Sequence, residues 1–533
     1  MSGWEVNSGQ AKLYLTCGKL RQYLQPSAFF QFWLSFGIKI DHRSCVLAFW
    51  LCFASACFMH LRLIFAPLAL ALGLVASGHG QSVPQRPNVI LMLIDDMGWT
   101  DLGCYGSKYY ETPNIDRLAR EGMKFSQAYS ACTVCSPTRA AVLTGKSPAR
   151  LHITDWIAGH DRPKARLKIP DWTKQLPLEE VTLAERLKPL GYRCASIGKW
   201  HLGGPEFYPE KQGFDVNIAG NDRGQPPSYF SPYGIETLKD GPKGEFLSDR
   251  LTQEALNFIS AEDAPFFIYL PHYAVHTPIM GKPEVVEKYQ KKRATNGHGN
   301  PTYAALVESV DDSVGRLRAE LEKLGQWENT LFIFTSDNGG LSGTVGAKGW
   351  QRGPTDNSPS RLGKGSAYEG GVHVPLIVSW PAKIKPASEC DTPVISYDFV
   401  PTILEAVGEK LPEGESLDGV SLMPVLLDTA SLTREAIHWH YPHYHPGSAT
   451  PYSAIREGDW KLIQFHETSR VELYNLRRDP GEASDVSDVE GDVTVRLTEK
   501  LHDWRKKVGA QETELNDAYD PETAWEGTRK GKK

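Results

Sequence analysis

A chain of 533 residues, 41% hydrophobic and 23% charged, is long enough for one large α/β domain with a smaller appended domain, and its composition excludes a mostly disordered protein. Its formal net charge of -6 gives no global attraction to nucleic acid or acidic membranes, so no nucleic-acid partner is expected. The nine cysteines are scattered and lack zinc-finger spacing.

In chain order, the first marked feature is apolar. Residues 45–58 read CVLAFWLCFASACF, and a second run from Met59 reads MHLRLIFAPLALALGLVASGHGQ. A basic start at Arg62, an apolar core and small residues near Ala76–Gly80 form the pattern of a secretory signal. Residues 1–80 therefore read as an extension plus a signal or anchor segment, with Met59 as the candidate true start. Export to a periplasmic, extracellular or vesicular space is expected, and one membrane anchor over 45–76 is the competing reading. Cleavage near Gly80 leaves five cysteines, so one of them must be free or modified.

The folded part starts at Pro87. NVILMLIDD is a buried-strand pattern ending in paired acids, and further strand runs follow as RCASIG (193–198), PFFIYL (265–270), TLFIFTSDNG (330–339) and VPLIVSW (374–380). Helical patterns lie between them, over 114–122, 181–191, 248–260 and 303–325. This alternation predicts an α/β fold, with a large mostly parallel sheet flanked by helices and polar catalytic groups at the strand ends. After about residue 425 the pattern changes to short strands, IHWHYPHYH, YSAIREGDWKLIQFHE and VELYNLRRDPGE, with a final helix over LTEKLHDWRKKV. The expected division is a catalytic domain over 87–425, a smaller C-terminal α+β domain over 426–515 and a polar tail over 516–533.

Asp95 and Asp96 are adjacent carboxylates at the end of a buried strand. Their repulsion is relieved by a cation that favours oxygen ligands, such as calcium or magnesium. Paired aspartates alone are more often a solvated turn. A second strand ending in Asp337–Asn338 can meet them at one carboxyl edge of a parallel sheet, which favours the metal. In Cys135-Ser136-Pro137-Thr138-Arg139, Pro137 suits a first helical turn and RAAVLTG continues it. Cys135 then sits where backbone N–H groups favour an anion, with the Arg139 fork nearby. The bland alternative is a buried thiol with no task. Cys132 and Cys135 formally make a C-x-x-C pair, but no thioredoxin-like strand precedes them, so the redox reading is weak.

These residues, taken with several others, resemble the formylglycine-dependent sulfatases of the alkaline phosphatase superfamily, over roughly residues 87–515. The signature is CSPTRAAVLTG at 135–145, whose Cys, Pro and Arg are all present; Thr138 stands where Ser is commonest. NVILMLIDDMGWTDLGCYG, GKWHLG (198–203), PHYAVHTP (271–278), SDNGG (336–340) and GKGSAYEGGVHVP (363–375) follow in the family's order, with His373 where members often have Arg. The resemblance implies an alkaline-phosphatase-like fold and an arylsulfatase-like sulfuric ester hydrolase acting on a sulfated small molecule or glycan. It implies a maturation enzyme that converts Cys135 to formylglycine, and calcium held by Asp95, Asp96, Asp337, Asn338 and an oxygen of modified Cys135. Arg139 and Lys199 are implied as holders of the formylglycine diol, and His201 as the base that later releases sulfate. His276 and Lys364 are implied as the groups that bind sulfate and assist the leaving oxygen, with Lys199 also on the substrate side.

Two further features concern substrate. HWHYPHYH (438–445) is dense in histidine and tyrosine and reads as a rim that meets a sugar, with His443 and His445 as the candidate contacts; HITDWIAGH (152–160) is a second candidate pocket lining. The rival enzymatic reading is a phosphonate or phosphate mono- or diester hydrolase of the same superfamily, against which Lys199 and Lys364 weigh. A binding or scaffold protein would have lost the nucleophile or the metal ligands, and none of those positions is lost. The oligomeric state is open.

Overall fold

The run Asn88–Ile94 is buried along its whole length, and so apolar a strand is stable only inside a sheet covered on both faces. The computed structural model describes residues 86–525, apart from 347, 348, 411–414 and 416. The signal or anchor segment expected within residues 1–80 lies outside the described residues. Among the described residues no helix is long and apolar enough to cross a membrane.

The strand β1 (Asn88–Ile94) is central in an eight-stranded sheet. Its companions are β2 (Met123–Phe125), β3 (Arg193–Ile197), β4 (Val216–Ile218), β5 (Phe266–Pro271), β6 (Thr330–Ser336), β7 (Leu376–Ser379) and β8 (Ser388–Cys390), in the order β8-β2-β7-β6-β1-β5-β3-β4. All pairings are parallel except those of β7, which runs antiparallel to β6 and β2. The sheet is therefore mixed but mostly parallel.

Successive side chains of β1 point to opposite faces, and each face has its own core. Ile90, Met92 and Ile94 pack with Leu118 of α1 (Pro113–Glu121), Leu251 of α3 (Leu247–Ser260) and Val310 of α4 (Pro301–Lys323). Val89, Leu91 and Leu93 pack with Leu143 of α2 (Cys135–Thr144) and with Ile403. The helix α4 starts sharply because the Asn300 side chain accepts from the N–H groups of Thr302 and Tyr303, with Pro301 at its first position. The pattern over 181–191 gives only Leu183–Leu187 as α-helix, followed by a 3₁₀ turn, because Pro189 removes a donor.

A second, antiparallel sheet comprises β9 (Ala436–Tyr441), β10 (Tyr452–Glu457), β11 (Trp460–Phe465) and β12 (Val471–Asn475), in that order. One face, with Ile455, Leu462 and Leu473, is covered by Leu497 and Leu501 of α5 (Gly491–Val508). The other, with Trp439, Tyr441 and Ile463, packs on Tyr129, Val134 and Ala141 around the start of α2. The chain after α5 is laid on the loop that follows α2. Glu514–Leu515 pairs with Leu167–Lys168, Asn516 donates to the carbonyls of Pro163 and Ala165, and Trp525 contacts Tyr444 and Arg162. Residues 516–525, read from the sequence as the start of a polar tail, are thus part of the fold.

One buried ion network ties the second sheet to the segment that precedes β7 and to the chain after β12. Lys461 of β11 lies 2.8 Å from Glu369 and 2.9 Å from Glu482, and all three are buried. Removing the cation leaves two carboxylates facing each other without water. Lys461→Met is expected to lower unfolding stability by about 3–5 kcal/mol, read from the urea midpoint. A loss below about 1 kcal/mol, the level of an exposed pair, contradicts this.

Candidate active site

β1 and β6 run parallel with Ile94 opposite Ser336, so the residues that follow, Asp95–Asp96 and Asp337–Asn338, leave the sheet at one level. Asp96 N–H donates to Asp337 Oδ1 (3.1 Å), and Asn338 Nδ2 donates to Asp96 Oδ1 (2.8 Å). Asp96 takes a left-handed backbone (φ 63°), which Asp tolerates better than most residues. Behind it, the buried Asp101 carboxylate accepts from Tyr303 Oη, Thr355 Oγ1 and Gly98 N and so fixes the loop after the two aspartates.

Three cations from three other segments answer these three acids. Arg139, one turn into α2, donates to Asp337 Oδ2 (2.6 Å) and to the Lys199 carbonyl. Lys199 Nζ meets Asp95 Oδ2 at 2.7 Å, and Lys364 Nζ meets Asp96 Oδ1 at 2.6 Å. Lys199 reaches the edge because the chain after β3 threads between strand ends. Gly198 has φ 128°, and a Cβ there would stand 2.0 Å from the Pro271 carbonyl. Burial pushes the carboxyls of Asp95 and Asp96 up, but Lys199 beside the first and Lys364 beside the second, each aided by His276, hold both below the ordinary value.

Cys135 opens α2, and its Sγ lies 3.4 Å from His201 Nδ1. The other ring nitrogen of His201, Nε2, faces the carbonyl oxygen of Ile157, which only accepts, so Nε2 carries the proton and Nδ1 turns its lone pair to Cys135. Burial and then Lys199 hold His201 well below its ordinary value, which keeps the ring neutral. Burial raises the Cys135 thiol, opposed by Lys199 and Lys364. Thr138 keeps the hydroxyl a serine would offer; its Oγ1 accepts from Cys132 N–H. His276 donates Nδ1–H to the Thr277 carbonyl and sets Nε2 3.6 Å from Asp96 Oδ2. The side chains of His276 and Lys364 are 14% and 11% exposed, more open than those of Lys199 and Arg139.

The structure thus brings together Asp95, Asp96, Cys135, Arg139, Lys199, His201, His276, Asp337, Asn338 and Lys364. The two rim histidines part company. His443 is 1% exposed, bonded to Thr154 Oγ1 and packed on Trp172 and Tyr441, so it lies behind the rim. His445 is 7% exposed and lies beside the Lys364–Gly365 turn. Motif reading missed Ser136, whose Oγ donates to the His201 carbonyl and accepts from Ile157 N–H. It also missed the Ile157 carbonyl, and no residue pattern marks a main-chain acceptor.

The donor set fits a hard divalent cation. Asn338 Oδ1 is buried without a hydrogen-bond partner among the described residues, and Asp95 Oδ1 makes no hydrogen bond there and has only Arg139 Nη2 at 3.4 Å, though such oxygens are normally paired. Asp95, Asp96 and His276 also offer ligand atoms within 4.8 Å of one another. Three carboxylates face three fixed cations, with burial and the neighbouring Asp95 pushing the Asp337 carboxyl above its ordinary value, and a dication held by the carboxylate and amide oxygens would add positive charge suited to an anionic substrate.

Comparison with known proteins gives a consistent result. The sulfatase family model matches residues 87–409, and a model of the C-terminal part of N-sulphoglucosamine sulphohydrolase matches residues 362–507. A sulfatase of Formosa agariphila is 34% identical over 84% of this chain and 93% of its own length. Human arylsulfatase A is 32% identical over 78% of this chain and 86% of its own. The solved structure of Ps i-CgsB with k-i-k-neocarrahexaose has a TM-score of 0.66 at 30% identity, covering 79% of this chain and 93% of that one.

His373, which stands where an arginine is frequent, is stacked between Trp99 (4.5 Å) and Tyr129 (5.3 Å) and bonded to the Ser126 carbonyl. It packs at β7 rather than in the charged cluster. His373→Ala is expected to lower unfolding stability by about 2 kcal/mol and to leave kcat/KM on an aryl sulfate unchanged. A selective loss of activity at unchanged stability contradicts this.

Proposed function

We propose a mechanism and a substrate class for a chain that belongs to the sulfatase family and is a sulfuric ester hydrolase: it releases inorganic sulfate from a sulfated carbohydrate through a formylglycine made from Cys135. The observation that carries the reading is the bare Nδ1 of His201 at 3.4 Å from Cys135 Sγ, with its proton committed to the Ile157 carbonyl.

Converted by a maturation enzyme and hydrated, position 135 would supply a geminal diol, with one hydroxyl to attack sulfur and a second whose deprotonation expels sulfate. The residues to hold a calcium ion are Asp95, Asp96, Asp337 and Asn338, with an oxygen of position 135, and the ion would supply positive charge for the transferring sulfuryl group. The chain's own groups do the rest. Arg139 and Lys199 fix position 135 and offset the repulsion between a nucleophilic oxygen and an anionic ester. His201 Nδ1 takes the proton at position 135 that must leave before sulfate does. His276 and Lys364, the more open of the site's donors, hold sulfate oxygens and deliver a proton to the leaving oxygen.

Sulfated sugar as substrate is supported by relatives named for it. N-acetylgalactosamine-6-sulfatase of Rattus norvegicus is 34% identical over 70% of this chain and 72% of its own length. The phosphorus-ester reading rests on likeness to a phosphonate monoester hydrolase of Agrobacterium radiobacter, with a TM-score of 0.59 at 19% identity, which bears on fold alone. Export through the Met59–Gly80 segment belongs to the same proposal and is supported by its signal pattern.

With protein co-expressed with a maturation enzyme, Cys135→Ala is expected to abolish sulfate release from aryl sulfate and sulfated sugars, and His201→Ala to cut it by about 10²–10⁴. Release that survives in Cys135→Ala overturns the mechanism. Absence of release from fully modified protein, with turnover of a phosphonate ester instead, favours the rival. For the metal, calcium at about a hundredfold excess over its Kd is expected to stabilise the fold by about 2.7 kcal/mol, read as a thermal shift that a chelator reverses. Asp337→Ala is expected to lose that shift, and a shift it retains contradicts the ligand assignment.

A further inference from the structure

Next to the cluster stand two histidines that the mechanism does not use. Their proton positions are dictated by neighbours that can only donate. His160 Nδ1 faces the indole N–H of Trp156 at 3.0 Å, so Nδ1 accepts and Nε2 carries the hydrogen. His445 Nδ1 faces the Gly447 amide at 2.9 Å, with the same consequence. The rings meet edge to face with centroids 4.9 Å apart. Neither Nε2–H has a protein acceptor among the described residues, and neither is sealed from solvent.

Both histidines are held at the reacting edge. His445 fills the space that a side chain on Gly365 (φ 74°) would need, directly beside Lys364, and Ala449 N–H donates to the Gly365 carbonyl. His160 is pinned by Asp155, whose carboxylate accepts from His160 N–H, Trp156 N–H and Tyr441 Oη. Trp156 stands 6.4 Å from the His201 ring, and it lines a cavity of about 570 Å³ that also reaches Ile157, Lys174, Arg223, Gly224 and Gln225. Gly224 abuts His201, so the cavity lies beside the group facing position 135, and it meets the histidine pair through Trp156, the donor to His160, rather than through either imidazole. Its volume suits a saccharide unit.

We propose that His160 and His445 form a subsite that reads the leaving group, donating their Nε2–H bonds to hydroxyl or ring oxygens of a pyranose beside the ester oxygen; the proposal rests on the sulfatase reading above. Two neutral donors match the oxygens that a sugar carries on carbons neighbouring its sulfate. A simple aryl leaving group has no such acceptors, and it leaves both donors stripped of water and unpaired, which is the arrangement that discriminates most strongly.

The test compares 4-nitrophenyl sulfate with 4- and 6-sulfated galactose and N-acetylgalactosamine, as mono- and disaccharides, using mature protein co-expressed with a maturation enzyme. The variants are His160→Ala, His160→Gln and His445→Phe, each checked for its thermal midpoint. For the best sugar, kcat/KM is expected to fall about 10–100-fold in His160→Ala and His445→Phe, while the aryl sulfate changes less than about threefold. His160→Gln, which keeps an N–H donor, is expected to recover part of the loss. Equal losses on sugar and aryl substrates, or no loss on the sugar, overturn the subsite. An unmutated enzyme that cleaves the aryl sulfate and none of the sugars overturns it as well, with the sulfatase intact. Modified enzyme that cleaves no sulfate ester removes the underlying reading itself.

Discussion

Three carboxylates buried at the ends of adjacent strands cannot remain ionised unless cations reach them, because the desolvation penalty exceeds anything the sheet supplies. That requirement organises the molecule. Arg139 comes from the helix packed on one face of the sheet, Lys199 from the turn after β3, and Lys364 from the loop between β6 and β7. Each must arrive at the same edge, and each brings a neighbour with it: Cys135 one turn before Arg139, His201 two residues after Lys199, and the His445 contact at Gly365. The pairing of each acid with a cation, together with an Asn338 Oδ1 that has no hydrogen-bond partner among the described residues and an Asp95 Oδ1 that has only Arg139 Nη2 at 3.4 Å, suits the edge to a dication and then to an anion.

Much of this was legible in the sequence because it is local. The buried run of β1 and the acids that end it, the matching run of β6, and the cysteine at a helix start are short patterns whose physics does not depend on distant partners. The mostly parallel sheet followed from the alternation of strands and helices, and the one antiparallel strand, β7, did not, since VPLIVSW carries no sign of direction.

What stayed hidden is long-range. In the histidine-rich segment after β9, nothing in composition tells that His443 turns to Thr154 and Trp172 while His445 turns to Gly365 and His160. The Ile157 carbonyl that sets the proton of His201 belongs to a loop whose path depends on Ser136 and on the chain after α5. Three histidines near position 135 thus have their tautomers fixed by groups with a single hydrogen-bonding role, an Ile157 carbonyl, a Trp156 indole and a Gly447 amide. One is left as an acceptor toward Cys135 Sγ, and two are left with a donor that has no protein acceptor among the described residues. Such assignments require the fold, because the ring itself is indifferent.

The most direct test of the charge-balance account is a crystal structure of the mature protein grown with calcium. The account predicts an ion about 2.3–2.6 Å from oxygens of Asp95, Asp96, Asp337 and Asn338, with Asp95 Oδ1 and Asn338 Oδ1 among its ligands. A structure at saturating calcium with no ion there would contradict it.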